Sequence, residues 1–194
     1  MFSVVLAASK LWWYVSRSAG IVSWTLVALA VLWGLALSTR ALGKNPSGPW
    51  LLDVHRFLGG ISVLFVLIHM FGLFMDTYVP FSLTQLLVPY AKDYKAGAVA
   101  WGIVAFYVLL AVEGTSLLRK HLPKRFWHGV HLASYALYAF ATIHLLTVGT
   151  DRQNPLLRWT VIGSIGVVVF FTAYRIIGPG RAGSIKSSAS KPRT

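Results

Sequence analysis

Five apolar runs, approximately Ser18–Leu42, Leu52–Met75, Ala96–Leu118, Phe126–Val148 and Leu157–Ile177, limit this chain more than any other feature. Each is long enough to cross a hydrocarbon layer about 30 Å thick, which takes about 20 helical residues. Lipid offers no hydrogen-bond partner, so a spanning segment must close its backbone bonds internally, as a helix does. Only 12% of the residues are charged, against about 25% in ordinary soluble domains. The expected fold is an all-α integral membrane protein, a five-helix transmembrane bundle occupying residues 18–178 as one domain.

The net charge of +13 would point to nucleic acid in a soluble protein. Here the placement of the cations gives the better account, and no nucleic-acid partner is expected. Arg40, Lys44, Arg56, Arg119, Lys120, Lys124, Arg125, Arg175, Arg181, Lys186, Lys191 and Arg193 fall on one side of the bundle. Lys10, Arg17, Lys92, Lys95, Arg152 and Arg158 fall on the other. Lysine and arginine accumulate on the cytoplasmic side, so the N-terminus is expected outside and the C-terminus in the cytoplasm of a cell (inner) membrane. There is no cysteine, which removes disulfides, thiolate metal sites and covalent haem attachment. Any metal is left to nitrogen and oxygen ligands.

The connections read plainly. Residues 1–17 are too short and too interrupted by Lys10 to span, and Trp12, Trp13 and Tyr14 make them an interfacial anchor. Arg40–Trp50 is a turn broken by Gly43, Pro46, Gly48 and Pro49. Asp76–Lys95 is the longest connection, with a short interfacial helix within Phe81–Tyr90, and Pro123 opens the fourth span. Residues 179–194, rich in Gly, Ser and Lys/Arg, are expected to be a basic disordered tail.

Within this apolar background the second span carries His55 and His69, 14 residues apart, and the fourth carries His131 and His144, 13 apart. Those separations are about 21 Å and about 19.5 Å along a helix axis. Both helices run in the same direction, so His55 and His131 share one depth and His69 and His144 another. An ionisable residue inside a membrane is costly and usually functional, and neutral imidazole is a common metal ligand. A single histidine is more often a hydrogen-bonded core residue. Four at matched depths suit two b-type haems, each held by one histidine from each helix, with Gly59, Gly60, Gly72, Gly129, Ala133, Ser134 and Ala141 giving clearance. One geometric difficulty stands: at about 100° per residue His69 lies about 40° from His55, but His144 lies about 140° from His131. The fourth helix must therefore be distorted, for example by a bulge.

Other polar residues invite weaker assignments. Arg56 is placed for an inner haem propionate, a role that Lys124 and Arg125 share with setting orientation. His128, one turn before His131, suits a propionate, a donor or simple interfacial structure. His121 is expected to be solvated. Glu113 reads as a proton relay or, more simply, as a partner of Arg119. Trp24, Trp33, Tyr135, Tyr138 and Phe140 read as packing rather than as an electron path.

The stretches "LLDVHRFLGGISVLFVLIH" and "WHGVHLASYALYAFATIH" resemble the ferric reductase-like transmembrane domain. That superfamily includes NADPH oxidases, ferric reductases and the haem subunit of a bacterial methionine sulfoxide reductase system. The resemblance rests on His55, Arg56, His69, His131 and His144 and covers about residues 15–178. Members usually have six spans; five are found here, the first corresponding to the family's second. It implies two b haems and transmembrane electron transfer by an oxidoreductase component. No Gly-x-Gly-x-x-Gly follows the last span, so no flavin or nicotinamide domain of the chain's own is expected. The donor would be a separate flavoprotein reductase or membrane quinol, with quinone or a partner's flavin as accessory cofactor. The acceptor would be ferric iron or an external redox protein. The alternatives are a quinol-linked b-type cytochrome and a non-redox scaffold or transporter whose histidines bind protons or metal ions.

Overall fold

The computed structural model describes residues 2–39, 41 and 47–177, with side chains from residue 10 onward. The tail at 179–194 and the cations Arg40 and Lys44 lie outside the described residues. The described residues form an all-helical bundle, with five helices long and apolar enough to cross a membrane. In chain order the elements are α1 (Phe2–Thr39), α2 (Gly48–Met75), the short α3 (Leu83–Leu87) and α4 (Ala96–Leu117). A 3₁₀ turn (Arg119–His121) leads to α5 (Lys124–Leu132), α6 (Ser134–Val148) and α7 (Pro155–Ile177).

Two helix starts differ from the sequence expectation. The first helix does not begin near residue 18: α1 runs unbroken from Phe2. No glycine or proline interrupts that stretch before Gly20, and one lysine does not break a helix. Its early turns lie along the end of α2, where Trp12 meets Phe71 edge-on at 5.4 Å. Gly72 lets the two backbones approach, since a Cβ there would sit 2.9 Å from Ser16 Cβ. The second difference is at Gly48 and Pro49, which open α2 instead of breaking the chain. Proline in a first turn loses no hydrogen bond, because that N–H has no intrahelical acceptor. The short helix expected in the long connection is α3, held by a capping box in which Ser82 and Gln85 bond each other's backbone N–H.

Helix α1 is the hub. It packs extensively along α2 and also against α6 and α7, while α4 packs on α6. The core is filled by Trp24, Val27, Val31 and Leu35 of α1, Leu109 of α4, Leu137 and Leu145 of α6, and Val161 and Val168 of α7. Buried polar atoms find partners: Trp24 Nε1 donates to Thr142 Oγ1 at 2.9 Å, and the Tyr138 and Ser164 hydroxyls meet at 2.6 Å. Trp33 Nε1 donates to the Leu51 carbonyl at 2.8 Å, tying α1 to α2. Large apolar side chains such as Leu29, Phe57, Leu64, Leu110 and Phe170 face outward. Helices α2 and α5–α6 have little direct backbone contact. They face each other across a gap, and the histidines stand in it.

Candidate functional site: two facing histidine pairs

The gap closes at two levels. His69 of α2 and His144 of α6 face each other with ring centroids 6.4 Å apart and planes at 81°. His55 of α2 and His131 of α5 do the same at 5.9 Å and 76°. The phase difficulty in the fourth span is met by a break. Helix α5 ends at Leu132, and Ala133 N–H bonds the Val130 carbonyl at 2.9 Å before α6 resumes. This tighter turn contains His131 and changes the helix phase on the way to His144.

The rings are held from behind. His69 Nδ1 donates to the Ser16 carbonyl at 2.7 Å, and His144 Nδ1 donates to the Ala98 carbonyl at 2.8 Å. A carbonyl only accepts, so each Nδ1 carries the proton and each Nε2 keeps a lone pair directed away from that contact. Both carbonyls already serve a helix, yet an sp² oxygen has a second lone pair to offer. Reaching it requires space, and glycine provides it. Gly20 lies four residues after Ser16, and Gly102 four after Ala98. A Cβ on Gly20 would be 2.9 Å from His69 Nδ1, and one on Gly102 2.6 Å from His144 Nδ1. The arrangement recurs at the other level. His55 Nδ1 turns toward the Ala30 carbonyl without closing a bond of normal geometry, and Gly34, four residues on, would place a Cβ 3.1 Å from His55 Cε1.

His131 is supported differently. Trp127, one turn earlier, stacks on it at 5.1 Å and 22°, and the Arg119 guanidinium lies 4.5 Å from the Trp127 ring centre. Ser116 Oγ is 3.5 Å from His131 Nδ1. Beside the other pair is a cavity of about 250 Å³, lined by His69, His144 and largely apolar side chains of α1, α2, α4 and α6. One water needs about 10–15 Å³, so the space suits something much larger. Arg17, Asp76 and Asp151 stand at its margin, and Arg17 forms a two-pronged ion pair with Asp151.

Outside the four histidines, most of the polar residues singled out in the sequence are exposed, His121 as expected. Arg56 is exposed and ion-pairs with Asp53 at 3.6 Å. His128 and His121 are exposed, as are Lys124 and Arg125. Glu113 makes no ion pair with Arg119; its carboxyl presses against Gly59 of α2, while Arg119 takes the Trp127 ring. Of the clearance glycines, Gly59 meets Glu113 and Gly72 meets Ser16, while Gly60 and Gly129 meet nothing within 4 Å. The glycines that touch the histidines are Gly20, Gly34 and Gly102. A signal for two of them was present. Ala30–Gly34 reads AVLWG and Ala98–Gly102 reads AVAWG, a short echo on two different helices.

Fold and site together define a helical bundle with two pairs of facing imidazoles at two levels. Among the described residues, no three His, Asp or Glu side chains gather as a bare-ion site would require. Residues 11–151 match the family described as Domain of unknown function (DUF8596), and the chain belongs to that family. The matched stretch contains all four histidines and the Arg17–Asp151 pair. No curated protein matches the chain.

Proposed function

We propose that the protein is a di-haem b membrane cytochrome of the ferric reductase-like kind, which carries electrons across a cell membrane. The observation that carries this reading is the pair of opposed imidazoles at each level. Metal–imidazole bonds are about 2.0 Å long, so two rings on opposite sides of one metal have centres about 6 Å apart. The pairs stand at 5.9 Å and 6.4 Å. Two protein ligands per level suit a metal whose other four positions come from a porphyrin, and a bare metal ion would look for more.

The fit extends to the surroundings. At the His69/His144 level both Nδ1 protons are committed to carbonyls, leaving two Nε2 lone pairs in an apolar cavity with a shared need for a Lewis acid. The carbonyl contacts fix each ring's orientation and raise its basicity as a ligand. Val27, Val66, Ile103 and Leu109 present apolar surface to the cavity beside the pair. Haem b would supply a one-electron iron couple when bound, and His55 with His131 and His69 with His144 are the residues that would hold it.

The charge placement directs the reading: a cytoplasmic-side donor, flavoprotein or quinol, and an external acceptor, ferric iron or a redox protein. His55 and His131 then form the inner level, and His69 and His144 the outer. Pyridine haemochrome analysis of the purified chain should approach two b haems. His55→Ala and His131→Ala should each remove one haem, and His69→Ala and His144→Ala the other. A folded, stable protein without haem ends this reading.

A further inference from the structure

The Trp127 indole N–H is buried and donates to no group of the protein. A buried donor left unpaired costs its full desolvation penalty, so such an atom marks a missing acceptor. Its position is fixed, because the indole is stacked on His131, one turn along α5. Arg119 lies over the same indole and forms no ion pair among the described residues. Neither Asp53 nor Glu113 pairs with Arg119: Asp53 pairs with Arg56, and the Glu113 carboxyl lies against Gly59 of α2. An orphan donor and a spare guanidinium at one point ask for an anion, and a planar guanidinium suits a carboxylate.

We infer that Trp127 Nε1–H and Arg119 form the binding site for a carboxylate of the group held between His55 and His131. This rests on the haem reading above and deepens it: the inner haem's propionate is received here, and not by Arg56, the histidine's neighbour in sequence. Arg56 is exposed and already answered by Asp53. Trp127 is a binding and positioning residue at this point, since its ring also sets the orientation of His131.

The test uses the full chain with its haems, in detergent and in bilayers. Trp127→Phe keeps an aromatic ring against His131 while removing the N–H together with the second ring, and Arg119→Leu removes the guanidinium with its charge and its donors. A carboxylate with less positive compensation favours ferric iron. In both variants one haem's midpoint potential should therefore fall, and its propionate bending band in resonance Raman should shift. The second haem should be unmoved, which also reports that the variant is folded. Arg56→Leu should change neither potential. Two haems with unaltered potentials and bands in both variants overturn the inference, as does a shift caused by Arg56→Leu. A shift seen only in bilayers containing anionic phospholipid overturns it too, by assigning the donor to a lipid phosphate. Wild-type protein without haem would instead refute the underlying reading.

Discussion

His144 rests in the space that a side chain on Gly102 would fill. A Cβ at Gly102 would lie 2.6 Å from both Nδ1 and Cε1 of the ring, closer than real Cβ contacts come. The α4 backbone cannot yield, so in Gly102→Ala the ring must leave the Ala98 carbonyl and lose its fixed direction. On the proposed haem reading, we expect Gly102→Ala to lose or broaden the spectrum of the haem assigned to His69 and His144 and to spare the other. Gly60→Ala is the control: nothing lies within 4 Å of its Cβ position, and an interior helical Gly→Ala change typically stabilises by about 0.5–1 kcal/mol. Haem content and thermal midpoint, measured for both variants, check this. Identical behaviour would mean that the glycines are not sockets. The four histidines were legible in the sequence because imidazoles are conspicuous in apolar runs. Their sockets were not, since each lies on a different helix from its histidine and depends on how helices pair. Gly20 and Gly34 are 14 apart, as are His55 and His69, but that match has meaning only once α1 and α2 are known to be neighbours.

At the scale of elements, Arg17 of α1 clasps Asp151 in the connection between α6 and α7. The clasp belongs to the part of α1 that composition marked as an interfacial anchor, and helix continuity brought it into the bundle. Arg17's hydrogen bonds hold the Asp151 carboxyl below the usual carboxylate range. The unfolded carboxyl therefore binds a proton more readily than the folded one. The clasp's stabilisation is complete above the unfolded carboxylate value of about 4 and is lost as pH falls through the lower folded value. Arg17 keeps 35% of its side-chain surface exposed, so solvent screens the pair and about 1 kcal/mol is a fair scale. Asp151→Asn should lower the thermal midpoint at pH 7, and the gap to wild type should close below about pH 4. An unchanged gap in acid would show that the variant acts through packing. The five long helices were legible because lipid-length apolar runs leave one backbone solution. The break at Ala133 was required by the 13-residue spacing, but its position was not, because none of the residues around it is a strong breaker.

At the scale of the whole molecule, the proposed electron path needs a direction, and the bundle alone is nearly symmetric in this respect: each end carries one histidine pair. The asymmetry lies in the charges. Arg119, Lys120, Lys124 and Arg125 crowd the turn beside the His55/His131 end, whereas the long connection between α2 and α4 has only Lys92 and Lys95. Short basic loops resist translocation, so the first end should remain cytoplasmic. A fluorescent protein fused after residue 194 should then fluoresce, and alkaline phosphatase placed within residues 78–94 should be active. Neutralising the four cations of the turn together should give mixed reporter signals, because the remaining bias is smaller. The functional consequence can be read without fusions. Membrane-impermeant ferricyanide added to intact spheroplasts meets the His69/His144 end and should oxidise that haem first, with the second following through the bundle. In inverted vesicles the order should reverse. The opposite order in both preparations would leave the haem reading intact and turn the proposed electron path around, making the external partner the donor.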